Sequence, residues 1–137
     1  SDVKKEDAHE SIFGYGVGVD LTKRDLQDIA KKNSKPWDLS KGFDNSAPIS
    51  EIVQNEKNVL RQGEINLSVN GVKKQSSNLS NMAWEVDEII SWLSKFITLH
   101  PGDIIFTGTP AGVGKLNPGD QVDANIESAG SLSFKLV

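Results

Sequence analysis

Asn70-Gly71 stands between two short runs, 65–69 (INLSV) and 72–75 (VKKQ). The two-residue turn that suits the twist of a β-hairpin needs positive φ at both central positions, which Asn and Gly tolerate best. A hairpin here commits the middle of the chain to antiparallel sheet. Pro101-Gly102-Asp103 and Pro118-Gly119-Asp120 add two more turns, each leading into a strand, because Pro presets the first central φ and Gly supplies a positive second one. The last segment, 121–137, has the pattern of a second hairpin about Ala129-Gly130. Many short strands with two or three helices predict an α+β fold dominated by β structure.

The helices are placed by pattern. Residues 4–12 form a short charged helix ended by Gly14, and 15–20 (YGVGVD) a buried strand whose glycines imply close backbone approach. Residues 23–33 make an amphipathic helix with Leu26, Ile29 and Ala30 on its apolar face and Thr22 or Asp20 near its N-cap. The stretch 34–50 is a long loop anchored by Trp37 and Phe43. The longest helical pattern is 81–98, with Trp84, Ile89, Trp92, Leu93 and Phe96 expected as its core face.

Composition excludes several classes. A chain of 137 residues fits one domain, and its net charge of −4 without a basic, aromatic-studded stripe argues against nucleic acid. Cysteine is absent, which removes disulfides, thiolate metal sites and a thiol nucleophile. No apolar run approaches the roughly 20 residues of a membrane span, and a cytoplasmic location is the default expectation. Ser1 and the polar residues 2–10 suggest a piece of a longer chain.

Two glycine-rich stretches invite a nucleotide-binding reading, and both fail on spacing. In 104–120 (IIFTGTPAGVGKLNPGD), Thr109 stands where a phosphate-binding loop needs its first Gly, and Leu116 follows Lys115 where a hydroxyl should lie. In 14–20 (GYGVGVD), Val19 occupies the third glycine's place in the dinucleotide fingerprint.

The candidate chemistry gathers at the end of the first strand. Asp20 lies at a strand-to-helix corner, and Arg24 and Gln27 share the first helical face beyond it. A carboxylate, a guanidinium and an amide there suit a divalent cation and a carboxylate-bearing ligand. A helix-capping Asp beside a solvated Arg and Gln fits the same spacing. Lys41 sits between the loop's two aromatic anchors, and Thr107 and Thr109 close a strand beside glycines, where a hydroxyl can face a small anion. His9 and His100 are expected to be exposed and uninvolved.

Taken together, four stretches resemble the fumarylacetoacetate hydrolase family: 14–27 (GYGVGVDLTKRDLQ), 36–50 (PWDLSKGFDNSAPIS), 66–71 (NLSVNG) and 97–114 (ITLHPGDIIFTGTPAGVG). The likeness is strongest to its small acylpyruvate hydrolase members. The resemblance implies a mixed β-roll or sandwich with two or three helices. It makes Asp20 a ligand of Mg²⁺ or Mn²⁺, sets Arg24, Gln27 and Thr109 against the oxygens of a 2-keto acid, and puts Lys41 beside the enolate. The implied reaction is hydrolysis of the C–C bond of an acylpyruvate, with oxaloacetate decarboxylation and hydroxydienedioate isomerisation as alternatives and a homodimer as the assembly. Members of the family also carry a Glu-x-Glu strand and a His/Glu pair on a lid, both before the residues matched here. Residues 1–137 are therefore expected to be a single catalytic domain lacking its N-terminal portion, inactive alone. A non-catalytic β-rich binding module is the rival from another class.

Overall fold

A computed structural model describes residues 1–55 and 58–137. Its main sheet is four-stranded and antiparallel, in the order β4-β3-β5-β6, from β3 (Glu64–Val69), β4 (Val72–Asn78), β5 (Gln121–Ile126) and β6 (Gly130–Lys135). Asn70 and Gly71 turn β3 into β4 with φ of 51° and 75°, the geometry their side chains allow. The β5–β6 hairpin pairs Ile126 with Gly130, and Ser128 and Gly130 hold positive φ in its turn. Both Pro-Gly-Asp turns close as expected. The Asp103 and Asp120 amides donate to the carbonyls of His100 and Asn117, and each carboxylate accepts the amide of the residue three before it. The second turn feeds β5, whereas 103–110 joins no strand among the described residues.

A second, two-stranded sheet pairs β1 (Gly14–Tyr15) with β2 (Val53–Gln54). The expected strand over 15–20 is thus only two residues of regular sheet, yet its pairing continues irregularly. Val17 accepts from the Ser50 amide, Gly18 bridges Ile49, Val19 donates to Pro48 and Leu21 donates to Ser46. The expected loop over 34–50 therefore returns as the partner of 14–21. It also contains a single helical turn, α2 (Asp38–Lys41). Its aromatic anchors each receive a lysine: Lys31 lies 5.1 Å from the Trp37 ring centroid and Lys23 lies 4.6 Å from that of Phe43.

The helices depart further from expectation. Residues Lys5–Ser11 form a 3₁₀ helix instead of an α-helix. The first long helix, α1 (Arg24–Lys32), starts after Lys23, without a side-chain cap from Asp20 or Thr22. Its buried residues are Gln27 and Ala30, while Ile29 faces solvent. The pattern over 81–98 resolves into a 3₁₀ turn, Leu79–Asn81, and a shorter helix, α3 (Val86–Leu93). A reciprocal capping box between Glu85 and Glu88 fixes where α3 begins, so Trp84 precedes it. Trp84, Trp92 and Phe96 are not core. They are 49%, 50% and 69% exposed and stack edgewise on one another. Periodicity had grouped them correctly but had assigned them the wrong environment.

Among the described residues the buried apolar ones are mostly small, Ala8, Ala30, Ala124 and Ala129, with Val17, Val122 and Ile90 the larger ones. One buried charge among the described residues supplements them. Asp87, whose side chain is 6% exposed, accepts from Arg61 at 2.7 Å and from the Glu88 amide at 3.0 Å. Glu85 also pairs with Arg61, so the segment before β3 is tied to the start of α3.

Candidate active site

The irregular ribbon sets the site. Along 16–20 alternate side chains share a face, and glycine at 16 and 18 leaves that face open on the way to Asp20. The Phe106 ring fills the opening, so that a Cβ at Gly18 would lie 2.5 Å from it. The structure thus supports the reading of the strand glycines as positions of close contact.

On the other side, the rungs from Leu21 to Ser46 and from Lys23 to Ser40 hold α2 against the strand end. Lys41, the last residue of α2, donates to Asp20 Oδ2 at 2.6 Å and to Thr22 Oγ1 at 2.9 Å. At the first position of α1, Arg24 donates to Oε1 of Gln27, about one turn on, at 3.1 Å. Gln27 is buried, so its amide orientation is fixed by that bond and by packing. Asp20, Arg24, Gln27, Lys41 and Thr109 all line one groove of about 2570 Å³. Small-ligand pockets occupy roughly 300–1,000 Å³, so this is an open concavity larger than any small substrate needs.

Of the five expected site residues, the structure pairs Asp20 with Lys41 and Arg24 with Gln27. Thr109 touches neither pair, and its hydroxyl is bonded to Gln75. Two contributors were missed. Thr22 was considered only as a cap, and Gln75 only as the end of a hairpin strand; a lone Gln in a strand of Lys and Ser gives little signal. His9 stays apart, its ring against the Glu6 carbonyl. His100 is exposed as expected, but it borders the groove. Tyr15 borders it as well; burial pushes its phenol up, and the Leu60 amide donates to its oxygen.

As a metal site the donor set is partial. Among the described residues no three His, Cys, Asp or Glu side chains converge to hold an ion. Asp20 supplies one hard carboxylate, with Oδ2 engaged by Lys41. That fits one ligand of a divalent cation but not its whole coordination shell, which is oxygen-rich and six- to eight-fold.

The sequence matches the fumarylacetoacetate (FAA) hydrolase C-terminal family over residues 1–137. The chain belongs to the fumarylacetoacetate hydrolase family. Within that family, a fumarylpyruvate hydrolase of Ralstonia sp is 45% identical over 132 residues, covering 96% of this chain and 69% of that protein. A mitochondrial oxaloacetate tautomerase of Homo sapiens is 42% identical over 130 residues, covering 94% of this chain and 59% of that protein. The crystal structure of a fumarylpyruvate hydrolase from Pseudomonas aeruginosa in complex with Mn²⁺ and pyruvate has a TM-score of 0.94 at 40% identity, covering 99% of this chain and 59% of that one. The chain therefore spans about six- to seven-tenths of the length of these relatives.

Proposed function

We propose that the full-length protein is a divalent-metal-dependent hydrolase of acylpyruvates, with Asp20 as one metal ligand. The observation that carries this reading is the 2.6 Å Lys41–Asp20 pair at the strand end, just before the helix that opens with the Arg24–Gln27 bond. A 2,4-diketo acid carries a carboxylate and a 2-keto oxygen at one end. Arg24 suits those oxygens through its planar fork of donors, Gln27 adds an amide, and Thr109 adds a hydroxyl. Water adds to the distal carbonyl, the bond between C3 and C4 breaks, and a carboxylic acid leaves with the enolate of pyruvate. The Lys41 ammonium stands where the enolate oxygen's charge develops, and a fixed donor there lowers the barrier more than it tightens ground-state binding. Protonation at C3 then gives pyruvate. When bound, Mg²⁺ or Mn²⁺ would polarise the keto acid oxygens, with Asp20 as one of its ligands.

The relative that binds Mn²⁺ and pyruvate supports the substrate class. The likeness to an oxaloacetate tautomerase favours a second reading, in which the same groups move a proton between C3 and the keto oxygen of oxaloacetate. Decarboxylation of oxaloacetate and isomerisation of a hydroxydienedioate share the enolate-like anion. The proposal includes a cytoplasmic homodimer, which sedimentation velocity and cell fractionation test. The deciding experiment gives the full-length protein, with and without Mg²⁺ or Mn²⁺, fumarylpyruvate, acetylpyruvate, a hydroxydienedioate and both tautomers of oxaloacetate. Metal-dependent release of pyruvate from an acylpyruvate is expected. Faster interconversion of oxaloacetate tautomers would favour the second reading, and no turnover of any substrate would leave a binding module.

A further inference from the structure

Gln75 is the one buried side chain of β4, an edge strand whose other residues are more open to solvent. The register of β4 slips beside it. Leu67 faces Gln75 and Ser68 faces Lys73, so Lys74 is an extra, unpaired residue. Bulges of this kind re-aim the adjoining side chain. Here the Gln75 Nε2 donates to Thr109 Oγ1 at 2.8 Å and to the Pro110 carbonyl at 2.8 Å. The amide orientation follows from chemistry. The Pro110 carbonyl only accepts, so the atom facing it is the nitrogen, and its two protons serve the two bonds. The Thr109 oxygen is therefore used as an acceptor on its inner side, and its own proton remains free for the groove. Gly112, at φ +104°, allows the same loop to lie against the Lys74 backbone.

The geometry points to Gln75 as the positioning residue that makes Thr109 a hydrogen-bond donor to the substrate's carboxylate, an inference that rests on the keto acid reading above. A carboxylate can only accept. A threonine without that partner is free to turn its proton inward and present lone pairs to the anion. The Gln75 N–H, which can only donate, makes the inward side of the hydroxyl the accepting one, and so favours anionic over neutral ligands without touching them.

The test uses the full-length protein with Mn²⁺ and pyruvate as the probe, read by calorimetric titration, together with steady-state kinetics on an acylpyruvate. The variants are Gln75→Leu, Gln75→Glu, Thr109→Val, Thr109→Ser and the double Gln75→Leu/Thr109→Val. Gln75→Leu and Thr109→Val should each weaken pyruvate binding roughly tenfold or more, as loss of a bond to a charged acceptor does. KM should rise more than kcat falls, and Thr109→Ser should stay close to wild type. The double variant should be no weaker than Thr109→Val, because Gln75 acts through that hydroxyl. Gln75→Glu, which keeps the shape but loses both protons, serves if the leucine variant does not fold. Wild-type affinity in both Gln75 variants overturns the inference, as do additive losses in the double. Either result leaves the functional reading standing, whereas a wild-type protein that neither binds pyruvate nor turns over a keto acid removes both.

Discussion

Replacing Gly112 with alanine perturbs the loop that carries Thr109 without removing any polar group of the site. The glycine has φ of +104°, a conformation that costs an L-residue roughly 1–3 kcal/mol. A Cβ there would also collide with the Lys74 carbonyl oxygen, 3.0 Å from its carbon and 3.2 Å from Gln75 Cγ. Backbone on both sides of the clash leaves no flexible side chain to give way. The alternative is for 107–114 to lift from β4, which breaks the two Gln75 bonds at about 1 kcal/mol each. Detachment therefore costs about 2 kcal/mol, no more than the strain of staying. The loop should lift while the four-stranded sheet remains. Limited proteolysis should show faster cleavage within 107–114, hydrogen exchange should leave the amides of β3 and β5 protected as before, and pyruvate affinity should fall. Gly114→Ala is the internal control. Nothing lies within 4 Å of its Cβ and its φ is not positive, so it should behave as wild type. Native cleavage rate and affinity in Gly112→Ala, or equal damage from Gly114→Ala, would refute the account.

Other perturbations separate chemistry from stability. Lys41→Met keeps the stem and removes the ammonium; kcat on an acylpyruvate should drop about 100- to 1,000-fold with a smaller change in KM, measured in steady state. Asp87→Ala strips the Glu88 amide of its buried acceptor and should lower stability by roughly 1–3 kcal/mol in urea unfolding, leaving pyruvate affinity unchanged. The carboxyls of Glu88 and Asp120 are held below their ordinary values, first by the amides of Glu85 and Asn117 and then by Lys5 and Asn70 respectively. Since the folded state depresses these pKa values, their stabilisation is present above about pH 4 and is lost as the pH falls further. A Glu88→Gln/Asp120→Asn variant should show a flatter acid limb in unfolding midpoint against pH; an unchanged limb would rule these two groups out.

Local chemistry was legible where a residue dictates its own backbone. Asn70-Gly71, the Pro-Gly-Asp turns and the Ala129-Gly130 hairpin need nothing beyond neighbours in sequence, and all appear. The Arg24–Gln27 bond was legible because residues three apart in a helix share a face, whereas spacing alone gives no sign of the Lys41–Asp20 pair, 21 residues apart. Environment was not. Trp84, Trp92 and Phe96 have core-like spacing, but spacing does not say what covers a face, and these rings cover one another. The short α3 escaped because its capping box is built from Glu85 and Glu88, and glutamate is not an ordinary N-cap signal. The segment before and within the 3₁₀ helix at Lys5–Ser11 is tied by Val3 to Ser94 and by Lys5 to Glu88, contacts across more than 80 residues. Gln75 was invisible for a similar reason: its partners lie 34 and 35 residues away.

The ribbon joining 14–21 to 46–55 has one more implication. Lys41 is 21 residues from Asp20 in sequence, yet main-chain rungs at Leu21 and Lys23 bracket it on either side. Its reach is thus written mainly into amides. Apart from Phe43, which seats Lys23, and Asn45, whose φ is 59°, diversity at the 42–45 tip should cost little in charge placement. A proline at 21 or 23, though chemically bland, would cut a mooring and let the ammonium drift.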